Sequence, residues 1–82
     1  MIDDSNELIE NIDRLHTTEM GVERICRNLS LADTNVVEWC RARIMDKKAA
    51  FRQQGKNWYV CVDNYVITVN KSSYTIITAH KR

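Results

Sequence analysis

Proline is absent from this sequence, and glycine occurs only twice, as Gly21 and Gly55. A flexible linker or low-complexity spacer is therefore not expected, and no internal repeat is visible. No apolar run reaches the roughly 18–20 residues that a helix needs to cross a bilayer, so no membrane association is expected. Nor is there a secretory leader pattern. Cysteine is sparse and scattered: Cys26, Cys40 and Cys61 make no Cys-x-x-Cys pair and no Cys/His cluster suited to zinc. Such thiols read as reduced and structural, which places the protein in the cytoplasm. Charge of one sign is missing too, with 12 basic against 11 acidic residues and a net charge of +1. No global field recruits nucleic acid or an anionic membrane, and any charged site has to be local. Glycine-rich phosphate loops, nucleophile elbows and His-Glu-x-x-His motifs are absent, and neither a metal nor another cofactor is expected.

What is present divides into a helical part, about 4–46, and a strand-forming part, about 49–80, of one domain spanning 1–82. Asp4 and Glu7 have the spacing of a reciprocal cap, and Leu8, Ile9, Ile12 and Leu15 recur at helical intervals, predicting a first helix over 4–14. The acidic residues Asp3, Asp4 and Glu7 suit the free N–H groups of that helix start. Thr18 is a natural cap for a second helix over 19–29, whose expected apolar line is Met20, Val22, Ile25, Cys26 and Leu29. A third helix is expected from Asp33 or Thr34 to Met45. Its basic residues Arg41 and Arg43, with Lys47 and Lys48 beyond, scatter around the axis and read as a solvated face.

The last third, Asn57 to His80, is rich in Val, Ile, Thr, Tyr and Trp and is broken at Asp63-Asn64 and at Asn70-Lys71-Ser72-Ser73. A two-residue turn at Asp63-Asn64 sets Val62 against Tyr65, Val60 against Ile67 and Trp58 against Val69, all on one face. Carried through the second turn, the register pairs Val69 with Tyr74, Ile67 with Ile76 and Tyr65 with Thr78. A preceding strand at 49–54, joined through Gly55-Lys56, brings Phe51 beside Val60, Ala49 beside Val62 and Arg52 beside Tyr59. The expected fold is α+β, with two or three short N-terminal helices packed on one face of a four-stranded antiparallel meander. The open face would then carry Arg52, Tyr59, Cys61, Val66, Thr68, Thr75 and Ile77, which is less polar than a merely solvated face. Trp58 belongs to the inner face, and Trp39 flanks the third helix's apolar stripe.

The segments NIDRLHTTEMGVERICRNL, VVEWC, GKNWYV and ITVNKSSYTIITAHK resemble a small bacterial family known as domain of unknown function 3781. That likeness runs over nearly the whole chain and implies no particular activity. The helices-then-strands order and the ITAH ending also resemble the barnase–EndoU–colicin–RelE superfamily of small ribonucleases and toxins. This second resemblance implies metal-independent cleavage of RNA, in which an activated ribose 2′-hydroxyl attacks the adjacent phosphodiester.

That chemistry needs a proton acceptor, a proton donor for the leaving oxygen, and a cation for the developing charge. The two histidines, His16 in the first interhelical loop and His80 at the last strand's end, are the candidate catalytic pair. The bland alternative leaves His16 bonding its own loop and His80 fraying at the chain end. By parity His80 and Thr78 face the helices, and only a bulge near Ala79 would turn His80 to the open face. Arg24, Arg52 and Lys56 are the candidate phosphate ligands, and Tyr59 is the candidate stacking platform for RNA. The competing expectation is a non-catalytic interaction or regulatory module, mobile-element encoded, that pairs with a protein partner or a second copy through a Cys61, Val66 and Ile77 row.

Overall fold

The computed structural model describes residues 4–30 and 35–82. It has α1 (Asp4–Glu10), a 3₁₀ turn (Ile12–Arg14), α2 (Glu19–Leu29), α3 (Val36–Ile44), and four strands, β1 (Ala50–Gln54), β2 (Asn57–Val62), β3 (Tyr65–Asn70) and β4 (Ile76–Lys81). The strands form one antiparallel meander in the order β1-β2-β3-β4. The protein is thus α+β, with its helices N-terminal to the sheet.

One face of the sheet takes all the helices. Leu8, Leu15, Ile25, Leu29, Val36, Cys40 and Ile44 share a buried cluster with Trp58, Val60, Ile67, Val69, Ile76 and Ala79. Each such large side chain contributes about 1.5–3 kcal/mol on burial. The ion pairs Arg41–Glu38, Arg41–Asp13 and Lys48–Asp63 are largely exposed, where a pair is worth about 0–1 kcal/mol. Packing against the sheet therefore holds the helices down.

The helices depart from the predicted spans where side chains compete for the backbone. The first helix stops at Glu10 instead of Arg14, because Asn11 Nδ2 donates to the Glu7 carbonyl at 2.9 Å and the chain tightens into the 3₁₀ turn. The predicted helix start at Asp33 or Thr34 lies outside the described residues, and so does the Asp4 side chain on which the predicted cap depends. Asn35 is the observed cap of α3, accepting from the Glu38 N–H at 3.2 Å. Thr18 caps α2 as expected, its Oγ1 accepting from the Gly21 N–H at 3.0 Å.

The predicted apolar line of α2 is half right. Ile25 and Leu29 are buried, but Met20 is 70% exposed and Val22 38%. Gly21 is the buried residue of that turn, because it fits against the Thr17 hydroxyl, where a Cβ would collide. With Gly21 inward, its neighbours are rotated about 100° to either side and leave the core.

The first two hairpins follow the predicted register: Phe51 faces Val60 and Arg52 faces Tyr59, while Trp58 faces Val69, Val60 faces Ile67 and Val62 faces Tyr65. Both turns have two residues, and the first of each, Gly55 or Asp63, takes positive φ. The third hairpin differs. Asn70 Oδ1 accepts from the Ser72 and Ser73 N–H groups, and Tyr74 adopts a left-handed φ of 58°, which lengthens the loop. Val69 then faces Ile76 instead of Tyr74. A β-bulge follows between Thr68 and Val69, so Thr68 faces Thr78, Ile67 faces Ala79 and Val66 faces His80. The extra residue reverses the parity of the strand's end. Thr78 and His80, predicted to face the helices, lie on the open face, and Ala79 is fully buried.

Candidate nucleic-acid interface on the open sheet face

No described helix contributes to the core from the second face of the sheet. Its rows are set by strand pairing. Gln54, Asn57 and Asn70 form one row, which Thr75 extends by accepting the Asn70 N–H at 2.8 Å. Arg52, Tyr59, Thr68 and Thr78 form the next, and Ala50, Cys61, Val66 and His80 the third. The face is thus polar at one end and partly apolar at the other.

His16 completes the polar row. The chain from Leu15 to Thr17 runs parallel to the start of β4: the His16 N–H donates to the Tyr74 carbonyl at 3.2 Å, and the Ile76 N–H donates to the His16 carbonyl at 2.7 Å. Thr17 Oγ1 adds a bond to the Ile76 carbonyl at 2.9 Å. Alternation along this extended piece buries Leu15 and leaves His16 exposed.

The ring of His16 is fixed at both nitrogens. Nδ1 is 2.9 Å from the Arg14 carbonyl, which can only accept, so the neutral ring carries its proton there. Nε2, 3.0 Å from Thr75 Oγ1, is then the acceptor and the Thr75 hydroxyl the donor. With the Thr75 hydrogen given to Nε2, Ser73 Oγ donates to Thr75 Oγ1 at 2.7 Å, and its 3.2 Å approach to Asn70 Oδ1 then carries no hydrogen. The bland reading of His16 as a loop ligand is satisfied at Nδ1, while Nε2 lies at the exposed edge beside the Thr75 hydroxyl. A hydroxyl beside an oriented imidazole has the arrangement of an activated nucleophile, but the nearby Ser72 and Ser73 N–H groups are spent on Asn70 and cannot hold an oxyanion.

Of the predicted site residues, Arg52 and Tyr59 lie side by side, with the guanidinium 5.9 Å from the ring centroid. Tyr59 is half-buried and Arg52 exposed. Asn57 Nδ2 reaches the Tyr59 hydroxyl at 3.4 Å, tying the platform to the polar row. Lys56 sits in the turn at that end, where its carbonyl accepts the Lys71 N–H at 2.8 Å and brings the two lysines together. Arg24 stands apart on α2, beside a groove at the β4 edge that also includes Thr75.

The predicted catalytic pair does not assemble. His16 is beside Thr75 and His80 is five residues further along the chain in β4, about 16 Å away at roughly 3.3 Å per residue. The bulge brings both to the open face, but the sheet keeps them at opposite ends, too far apart to share one phosphodiester. The predicted Cys61, Val66 and Ile77 row is also corrected: Ile77 lies at the bulge, and His80 takes its place beside Val66. Asn70, Ser73 and Thr75, the partners that orient His16, escaped the sequence reading as a site. Their only signal was a turn-forming polar cluster.

An α+β domain of helices on one face of a four-stranded meander, with a polar, cation-rimmed end to its open face, is the class that these features define. Residues 9–80 match the model of the family described as "Protein of unknown function (DUF3781)", and the chain belongs to that family. No curated protein and no solved structure matches the chain. Among the described residues, no helix is long and apolar enough to cross a membrane.

Proposed function

We propose that the open sheet face binds single-stranded RNA, with His16 as the proton acceptor of a metal-independent cleavage centre. The observation that carries the reading is the fixed ring of His16, whose Nε2 accepts from the Thr75 hydroxyl while the Arg14 carbonyl holds Nδ1. A ribose 2′-hydroxyl in place of the Thr75 hydroxyl would meet an oriented ring nitrogen that accepts its proton when the ring is neutral. Tyr59 supplies a surface on which a base stacks, and Arg52, Lys56 and Lys71 supply cations for the backbone. His80 lies outside this centre, so the leaving 5′-oxygen takes its proton from solvent water.

The test is a chemical-shift titration of isotope-labelled protein with a short RNA carrying 2′-deoxy blocks, followed by incubation with the all-ribose strand. Shifts gathering on Tyr59, Arg52, Lys56 and His16 are expected, with Tyr59→Ala weakening binding by about 1–3 kcal/mol, the worth of one stacked base. The all-ribose strand is expected to yield 2′,3′-cyclic phosphate ends that His16→Ala does not produce. Absence of any shift on this face would sink the reading.

A second reading is favoured by the side-by-side, half-buried Cys61 and Val66 at the less polar end of the face. It is a protein-interaction module that pairs there with a partner or a second copy. Concentration-dependent association that Val66→Lys abolishes, without any response to RNA, would select it.

A further inference from the structure

We propose that the groove between the first turns of α2 and the start of β4 is a nucleobase subsite of the RNA surface; this rests on the RNA-binding reading. The groove encloses about 280 Å³. Met20 and Ile77 line it, 70% and 38% exposed. Met20 is turned outward by the burial of Gly21 against Thr17, and Ile77 sits at the bulge in β4. Neither side chain is needed by the core, so the sequence places two large apolar groups in water where a polar residue would fold as well.

Size and chemistry together select the occupant. The volume falls just below the roughly 300–1,000 Å³ of pockets that take drug-sized ligands, so it suits one flat ring system and not a helix or a strand. Methionine's thioether makes favourable contacts with aromatic rings. Thr18 accepts from the Gly21 N–H through its hydroxyl oxygen, which leaves the O–H to donate to an acceptor on a base edge. Arg24, also lining the groove, makes no ion pair among the described residues and is placed to take the neighbouring phosphate. Thr75 belongs to both places, lining the groove and bonding His16 Nε2 at 3.0 Å. A strand running obliquely from Tyr59 into the neighbouring Asn57–Asn70–Thr75 row therefore reaches His16 and then the groove.

The experiment compares the intact chain with a Met20→Ser/Ile77→Ser variant, with Arg24→Gln and with Tyr59→Ala, using a 2′-deoxy-blocked oligonucleotide and its counterpart with one abasic position. Both apolar positions are exposed, and circular dichroism checks that each variant folds. Met20→Ser/Ile77→Ser is expected to weaken binding about 5- to 150-fold, the range for losing one stacked base, and to become insensitive to the abasic position. Arg24→Gln is expected to lower the salt slope of binding by about 0.7–1, as the loss of one phosphate contact does. Intermolecular contacts between the Met20 methyl group and base protons should appear in NMR spectra. If Tyr59→Ala weakens binding while the groove variant binds like the parent, the groove proposal is overturned and the RNA surface stands. If the parent binds no oligonucleotide, both fall.

Discussion

His16 Nε2 and Thr75 Oγ1, 59 residues apart in sequence, lie 3.0 Å apart across a two-residue parallel bridge at the edge of the sheet. The contact is held by backbone bonds on both sides of it, His16 N–H to the Tyr74 carbonyl and Ile76 N–H to the His16 carbonyl. Long-range proton–nitrogen spectra of the neutral ring should place its proton on Nδ1. Thr75→Val should cost about 0.5–1.5 kcal/mol in urea unfolding, the net worth of such a bond. A neutral ring protonated at Nε2 would reverse the donor and acceptor assigned here.

Ala79 distinguishes the observed strand pairing from the predicted one. It is fully buried opposite Ile67, beyond the bulge, with Asn28 of α2 reaching its carbonyl at 3.4 Å. Ala79→Leu should overpack the helix–sheet seam and destabilise by about 1–3 kcal/mol. Without the bulge, Ala79 would face solvent and the substitution would be nearly neutral, so a small change in the urea midpoint would contradict the register.

Gly21→Ala sets two effects against each other. Alanine gains roughly 1 kcal/mol of helix propensity over glycine, but its Cβ would collide with Thr17 Oγ1, which is bonded to the Ile76 carbonyl. We expect net destabilisation of about 1–2 kcal/mol from the displaced hydroxyl and its orphaned partner. In a Thr17→Ala background, where that oxygen is gone, the same substitution should cost nothing further. Additive effects in this double-mutant cycle would remove the contact as the cause.

Cys40 ties stability to alkaline pH. Burial pushes its thiol from 9.0 up to about 12, with Arg43 acting weakly in the opposite direction. Between those values the unfolded chain has released the proton and the folded chain has kept it, so stability is full below about pH 9 and falls as pH rises towards 12. The slope from this group is about 1.4 kcal/mol per pH unit. Denaturant midpoints taken between pH 8 and 11 should show it, and Cys40→Ala, though less stable throughout, should lose that part of the pH dependence. An unchanged slope would acquit Cys40.

Much of the fold was legible because it is local. The Thr18 cap, the Asp63-Asn64 and Gly55-Lys56 turns and the alternation through Trp58, Val60 and Val62 are short-range patterns, and each matches the structure. The adjacency of Arg52 and Tyr59 followed from turn length alone. The site was less legible. The bridge that brings His16 to Thr75 joins distant segments through main-chain bonds, which no residue pattern encodes.

By itself, then, the sequence determined the α+β class, the inner-face core around Trp58, Val60 and Ile67, and the two tight hairpins, because side-chain period and turn chemistry act within a few residues of one another. Only the tertiary structure decided the end of β4. There, seating Tyr74 against Trp58, with ring centroids 5.6 Å apart, and burying Ala79 under α2 competed with an unbroken strand ladder. The bulge satisfies both demands, turns Thr78 and His80 outward, and leaves His16 with Thr75 at the far end of the same face. Packing of the third hairpin against the helices, an interaction spread over the whole chain, set that outcome.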